Sequence, residues 1–259
     1  MFYDTATEKI IVAIPAYNPD ERLTQLIKEI RAVWDPVIII IDDGSKQDVK
    51  WIFTKLETEY SCDILHQAYN QGKGAALKTV ANHIVNAYPK SIGYVTADAD
   101  FQHMPEDIRR VARILEEHPD SLILGVRNFD SKDVPNKSKW GNWITSAVFD
   151  MQTGIHNLDT QTGLRGIPHK YAEECGRIGG ERFEYEMNML LWMARNHVPF
   201  IKVPIQTVYM ERNRSSSFRP LRDSARIYWN ILKFGFSSLV CAGKPRAKSQ
   251  IISQNPLTM

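Results

Sequence analysis

Tyr94-Val-Thr-Ala-Asp-Ala-Asp-Phe-Gln-His-Met-Pro105 is the stretch on which the fold turns. Tyr94, Val95 and Thr96 have the aromatic and β-branched character of a buried strand end. Pro105, Glu106 and Asp107 open a helix, with proline at the first helical position and acids in the first turn. Between strand and helix, Asp98, Asp100 and Gln102 arrive at every second position. Two carboxylates and an amide oxygen are hard donors, suited to a divalent cation that keeps some of its sites for phosphate oxygens. A solvated loop whose acids cap the helix fits the same residues. The flanking sequence has to separate the two.

Upstream, Ile10 to Ile14 is a nearly all-apolar run, as a strand covered on both faces requires. It stops at Pro15-Ala-Tyr-Asn18. Asn18-Pro-Asp-Glu21 then offers an N-cap, a proline and an acid three residues on. Leu23, Leu26, Ile27, Ile30, Val33 and Trp34 follow at helical spacing. Val37 to Ile41 is a second buried strand, ending in Asp42-Asp43-Gly-Ser45, where Ser45 caps another helix. Cys62 to His66 is a short third strand. Asn70-Gln-Gly-Lys-Gly74 leads into an alanine-rich helix to Tyr88, and Leu122 to Val126 is a further apolar run beyond the opening motif. Strands alternating with helices predict an α/β fold with a mostly parallel central sheet flanked by helices and joined by right-handed crossovers. In such sheets ligands bind beyond the carboxyl ends of the strands, where the polar loops here fall.

After Arg127 the pattern changes. Residues 129–139 are polar and read as a loop, and residues 140–151 as a helix. Asp159-Thr-Gln-Thr-Gly-Leu-Arg165 is a polar cluster before a short strand or turn. Residues 181–196 form a helix with an acidic front, and residues 198–208 a strand interrupted by Pro204, hence an edge. Arg212, Arg214, Arg219, Arg222 and Arg226 make the following segment basic. Tyr228, Trp229, Leu232, Phe234 and Phe236 then fit an amphipathic helix at a membrane interface, or a core helix on the sheet. The expected division is a catalytic domain over 1–226, an amphipathic or juxtamembrane helix over 227–243, and a disordered tail over 244–259.

The totals exclude more than they select. A formal charge of +2 over 259 residues gives no case for nucleic acid. Cys62, Cys175 and Cys241 are scattered, without metal-type spacing or a disulfide framework, which fits a reducing compartment. No signal-peptide pattern opens the chain, and no apolar run reaches the roughly 17–25 residues that span a bilayer.

Three constellations carry chemistry. Asp42 and Asp43 at a strand end can accept hydrogen bonds from a nucleobase or a ribose, although a helix-capping turn explains them as well. Gly72-Lys-Gly74 at a helix start can bring backbone N–H groups and one ammonium to a pyrophosphate; it is neither a Walker motif nor G-x-G-x-x-G. Asp98, Asp100 and Gln102 can hold Mg²⁺ or Mn²⁺ against a diphosphate, stabilising the charge that builds on a departing nucleoside diphosphate. Their order, one after another at successive strand ends, is what selects a nucleotide site.

Pro15-Ala-Tyr-Asn18, Ile41-Asp-Asp-Gly-Ser45, Asn70-Gln-Gly-Lys-Gly-Ala75 and Asp98-Ala-Asp-Phe-Gln-His103 resemble, in order, the signatures of family 2 glycosyltransferases with the GT-A fold. Asp159 to Arg165 and the segment 212–217 look like those of polyprenyl-phosphate glycosyltransferases, relatives of dolichol-phosphate mannose synthase. The resemblance covers roughly residues 8–230. Processive polysaccharide synthases carry Gln-x-x-Arg-Trp, which this sequence lacks.

The resemblance implies roles by position. Pro15, Tyr17, Asn18, Asp42 and Asp43 would line the nucleoside pocket, Lys73 would approach the diphosphate, and Asp98 would face ribose or sugar. Asp100 and Gln102 would ligate Mg²⁺ or Mn²⁺. Asp159 and Gln161 would sit near the transferred sugar or the acceptor, and Arg127, Arg165, Arg212 and Arg214 would hold phosphates. The implied reaction is inverting transfer of one sugar, from a UDP-hexose before GDP-mannose, to an undecaprenyl or dolichyl phosphate at the cytoplasmic membrane face. Relatives continue into transmembrane helices where Lys244-Pro-Arg-Ala-Lys248 interrupts this chain, so a shortened membrane domain and peripheral association are expected. A homo-oligomer stays open, as do a nucleotidyltransferase and a silent nucleotide-binding scaffold.

Overall fold

The apolar runs assemble into one sheet. The computed structural model describes residues 9–127, 145–147, 149–156, 159–182, 184–206 and 249–251. The strands are β1 (Ile10–Ala16), β2 (Val37–Asp42), β3 (Asp63–His66), β4 (Gly93–Thr96), β5 (Leu122–Arg127), β6 (Arg165–Pro168), β7 (Phe200–Ile205) and β8 (Ser249–Ile251), in the spatial order β3-β2-β1-β4-β6-β5-β7-β8. All neighbours are parallel except β6, which runs antiparallel to both β4 and β5. The mostly parallel α/β sheet expected from the sequence is therefore present.

Side chains alternate across β1 as the period of two demands. Ile10, Val12 and Ile14 pack against α1 (Glu21–Val33), α2 (Lys50–Tyr60) and α4 (Pro105–Glu117). Ile11 and Ala13 face the other layer, made by α3 (Lys73–Ala87), α5 (Ala172–Arg177) and α6 (Glu184–Arg195). On α1 the buried residues Leu23, Leu26, Ile27 and Ile30 repeat at three and four, one apolar stripe for one sheet face. Each such side chain contributes about 1.5–3 kcal/mol on burial.

Several local expectations shift. The α1 N-cap is Asp20, whose carboxylate accepts from Arg22 N, and not Asn18, which sits in the left-handed region at φ 47°. Ser45 caps no helix: a 3₁₀ turn over Gln47–Val49 intervenes before α2, and Ser45 Oγ accepts from Asn18 N at 2.9 Å. β7 is not the edge that Pro204 suggested, because β8 pairs with Phe200 to Lys202. Pro204 lies beyond that pairing, so its missing N–H costs the ladder nothing there. β8 itself comes from the stretch expected to be a disordered tail. The basic segment and the amphipathic helix over 227–243, with Arg212 and Arg214, lie outside the described residues.

The end of β7 is tied down before the chain leaves the described region. Buried Asp107 on α4 accepts from Gln206 N at 2.7 Å, and Arg110 bridges Asp107 to the Pro204 carbonyl. Burial pushes the Asp107 carboxyl above its usual range, against the pull of Arg110. Among the described residues no helix is long and apolar enough to cross a membrane.

Candidate active site

The parallel strands β1, β2 and β4 bring their carboxyl ends to one rim, and hydrogen bonds between their loops make that rim a unit. Lys46 N donates to Asn18 Oδ1 at 2.9 Å, returning the bond from Asn18 N to Ser45. Pro15 and Ala16 pair with Ile41 and Asp42, and Tyr17 stands on the rim with 40% of its surface exposed.

Asp42 is fully buried and its carboxylate is saturated. Oδ1 accepts from Ser45 N at 2.8 Å, and Oδ2 meets His66 Nδ1 at 2.8 Å together with Lys50 Nζ. Burial alone would raise this carboxyl, but Lys50, Ser45 and His66 outweigh it and leave it below the usual carboxylate range. Asp43 turns the other way and clamps the glycine loop. It accepts from Gln71 N at 2.7 Å, Gly72 N at 2.9 Å and Asn70 Nδ2 at 2.8 Å. Its place in the expected nucleoside pocket is thus taken by a structural duty, and burial holds its carboxyl above the usual range.

Gly72-Lys-Gly74 is likewise not an open phosphate cradle. Ala75 N, in the first turn of α3, donates to the Glu181 carbonyl at 2.9 Å, so the helix start is packed against the 181–185 turn. A Cβ on Gly74 would lie 2.5 Å from Tyr185 Cβ and 2.8 Å from the Arg182 carbonyl oxygen. Gly74→Ala is therefore expected to cost about 1–3 kcal/mol, read as a lower urea midpoint at unchanged slope. An unshifted midpoint would contradict the close packing of α3 on that turn.

Lys73 points into the rim. Its ammonium lies 2.6 Å from Asp98 Oδ1 and 3.2 Å from Glu186 Oε1. Burial works against the Lys73 charge, but Asp98 and Glu186 more than restore it and hold the ammonium above its ordinary range. Asp98 also meets His103 Nε2 at 3.2 Å. Burial would raise the Asp98 carboxyl, yet Lys73 and then His103 hold it well below the usual range. The Asp98 carboxylate rests on the polar cluster downstream: a Cβ on Gly163 would come 2.3 Å from Asp98 Oδ2, and Thr96 Oγ1 donates to the Gly163 carbonyl at 2.8 Å. Glycine at 163 is what lets the two motifs meet.

Asp100 is placed differently from Asp98. Its Oδ2 accepts from the Gln102 amide, while Oδ1 is buried with no hydrogen-bond partner among the described residues. Burial, then the charge of Asp98, raises the Asp100 carboxyl. An unpartnered carboxylate oxygen in a negative field is a place where a cation gains free energy. The described residues hold no group of three or more His, Cys, Asp or Glu side chains disposed to bind a metal. A cation at this rim would accordingly take two protein donors, Asp100 and the Gln102 amide oxygen, and draw its remaining ligands from a bound diphosphate and water. That donor count suits Mg²⁺ or Mn²⁺ better than a closed protein cage does.

The remaining residues from the sequence split into three groups. Asp159 is buried and forms a two-pronged pair with Arg127, Nε to Oδ2 at 2.6 Å and Nη2 to Oδ1 at 2.9 Å. Both its oxygens are thereby engaged, Oδ1 also receiving Gln161 N at 3.2 Å, and none is left aimed at a sugar hydroxyl. Gln161 itself is exposed. Arg165 is the plain correction: it is 1% exposed and cannot reach a phosphate. Its guanidinium donates to the carbonyls of Thr162 at 2.9 Å, Glu186 at 2.8 Å and Thr160 at 3.2 Å, knitting β6 to α6. Nothing local in the sequence marked Glu186, His103, Lys50 or His66 as partners of the rim acids; Glu186 lies far along the chain on α6, and only packing brings it to Lys73.

The rim thus gathers carboxylates, a half-buried lysine and an uncompensated acceptor at the ends of parallel strands, and the fold that carries it is that of the GT-A glycosyltransferases. The chain belongs to glycosyl transferase family 2, whose model matches residues 11–186. That span runs from β1 to Glu186 and so includes every rim residue described above. The chain is 27% identical over 222 residues to a UDP-N-acetylglucosamine–dolichyl-phosphate N-acetylglucosaminyltransferase of Methanococcus voltae, covering 80% of this chain and 88% of that protein. It is 24% identical over 181 residues to a dolichyl-phosphate β-glucosyltransferase of Trichomonas vaginalis, covering 63% of this chain and 54% of the relative. In fold it is similar to mannosyl-3-phosphoglycerate synthase of Rubrobacter xylanophilus, at a TM-score of 0.58 and 12% identity over 96% of this chain and 79% of that one.

Proposed function

We propose that the protein transfers one hexose, with inversion, from a UDP-sugar to a polyprenyl phosphate at the cytoplasmic face of a membrane. One observation carries the reading: at the end of β4 the buried Asp100 Oδ1 lacks a partner among the described residues, beside the Lys73–Asp98 pair, the arrangement a divalent cation and a diphosphate would complete. The activities of the two relatives, a UDP-sugar donor in one and dolichyl phosphate in both, support donor and acceptor class. GDP-mannose is the second choice of donor.

Asp100 and Gln102 would hold Mg²⁺ or Mn²⁺, which supplies Lewis-acid stabilisation of the charge on the leaving diphosphate. Lys73, kept charged by Asp98 and Glu186, adds a fixed positive group at the same rim. A phosphate oxygen of the lipid attacks the anomeric carbon as the bond from that carbon to the β-phosphate oxygen breaks, and the electron pair leaves with the nucleoside diphosphate. A phosphate monoester, with its second pKa at about 6, is already largely dianionic at neutral pH. The nucleophile therefore needs no proton removed, which agrees with Asp159 being tied to Arg127 instead of standing ready as a base. Orientation and charge stabilisation do the catalysis.

Residues 1–226 would form the transferase, and the segment from Arg212 through Phe236 would lie at the lipid headgroups. Incubation with UDP-[¹⁴C]hexose, Mn²⁺ and undecaprenyl phosphate in detergent should move label into the organic phase while releasing UDP in equal amount. Release of pyrophosphate or UMP would replace this reading with nucleotidyl or phosphosugar transfer.

A further inference from the structure

The basic side chains that meet the rim acids are already spent. Lys50 lies on Asp42, Lys73 on Asp98 and Glu186, and Arg127 on Asp159. A donor diphosphate and a lipid phosphate would each bring about two negative charges to this rim at neutral pH. A single divalent cation offsets only part of that charge. The remainder calls for a basic side chain that no carboxylate of the protein has claimed.

Arg182 is such a side chain. It belongs to the 181–185 turn, which comes from far along the chain and seats on the start of α3. The Glu181 carbonyl accepts from Ala75 N at 2.9 Å, and the Arg182 carbonyl accepts from Tyr185 N at 3.2 Å. These bonds fix the backbone of the turn against the glycine loop. From there the side chain crosses Gly72, where a Cβ would lie 2.7 Å from Arg182 Cγ and 2.5 Å from the Glu181 carbonyl oxygen. Gly72 also sits at φ 104°, so glycine serves both the loop conformation and the crossing. Asp43 feels the arginine from within the loop: burial raises its carboxyl, and the Gln71 and Gly72 N–H groups and then Arg182 act against that. Yet Asp43 is filled by Asn70, Gln71 and Gly72, and Glu184 Oε1, on the turn itself, lies on Glu181 N at 3.3 Å. Arg182 is exposed, and among the described residues its guanidinium makes no hydrogen bond or ion pair. A planar fork of unclaimed donors, laid over the residue before Lys73, has the chemistry of a phosphate clamp.

We propose that Arg182 is a phosphate-binding residue of the rim, contacting above the glycine loop a phosphate of either the donor or the lipid acceptor. The proposal rests on the transferase reading above but can fail without it. Isothermal titration of the full chain in Mn²⁺ tests it, in the wild type and in Arg182→Gln. The probes come in pairs with and without phosphate: UDP against uridine, and undecaprenyl phosphate against undecaprenol in detergent. Backbone groups hold the turn and the side chain is exposed, so the variant should melt within about 2 °C of the wild type. A loss of UDP affinity of at least about tenfold, with uridine unchanged, assigns Arg182 to the donor diphosphate. The same loss for undecaprenyl phosphate, with undecaprenol unchanged, assigns it to the lipid phosphate. Losses below about tenfold for both phosphates overturn the proposal, as does an equal loss with and without the phosphate. A midpoint lower by several degrees makes the side chain a support of the turn and overturns it too. In each of these failures, UDP binding by the wild type leaves the transferase reading standing. A wild type that binds neither phosphate removes both.

Discussion

Asp100→Ala is expected to reduce sugar transfer by at least about a thousandfold while leaving the fold intact. Lewis-acid stabilisation of a leaving diphosphate amounts to several kcal/mol, and each 1.36 kcal/mol is about tenfold in rate. The same substitution should not destabilise the protein. The Asp100 carboxyl is pushed up by burial and by Asp98, and its Oδ1 has no partner among the described residues, so its removal relieves an unfavourable site. The decisive measurement is kcat in saturating Mn²⁺ together with the thermal midpoint. Activity within tenfold of wild type at an unchanged midpoint would remove the cation from the reaction; lost activity with a midpoint several degrees lower would make Asp100 structural.

Arg165→Met should do the opposite, lowering stability and sparing substrate affinity. The guanidinium is sealed between β6 and α6, donating to three backbone carbonyls and lying 3.9 Å from the Glu186 carboxylate. Methionine fills most of the volume and leaves those acceptors unpaired in the interior. The expected cost is about 3–5 kcal/mol, as for a buried ion stripped of its partner. For a chain of this size that is a fall in Tm of roughly 6–20 °C. KM for donor and acceptor, measured well below the new Tm, should change little. A preserved Tm with a raised acceptor KM would restore the phosphate-binding role that the motif suggested for this arginine.

These two residues show how far local pattern reaches. The signal that singles out Asp100 is local: a strand end, an alternating set of oxygen donors and a proline-started helix all lie within Tyr94 to Pro105. The strand runs were legible for the same reason, since burial on both faces demands consecutive apolar residues, and β1, β2 and β5 were read close to their observed bounds. Arg165 looked like a ligand because an arginine in a polar cluster is usually at the surface. Its burial depends on α6 closing over it, and no spacing rule relates residue 165 to Glu186. Asp43 and Gly74 misled similarly: the residue types suit a nucleotide, but the 70–72 loop and the 181–185 turn reach them first.

The amino-acid order alone settled the alternation of strand and helix, hence a parallel sheet, and with it the rim on which the acids lie. It did so because hydrophobic period and turn chemistry are properties of neighbouring residues. Which acid is free and which is spent was decided only in three dimensions. Asp42 is consumed by Lys50 and His66, Asp98 by Lys73 and His103, and Asp159 by Arg127, each across at least one loop. Charge pairing falls off with distance in space, not along the chain, so which carboxylates find a partner follows from packing and not from sequence spacing.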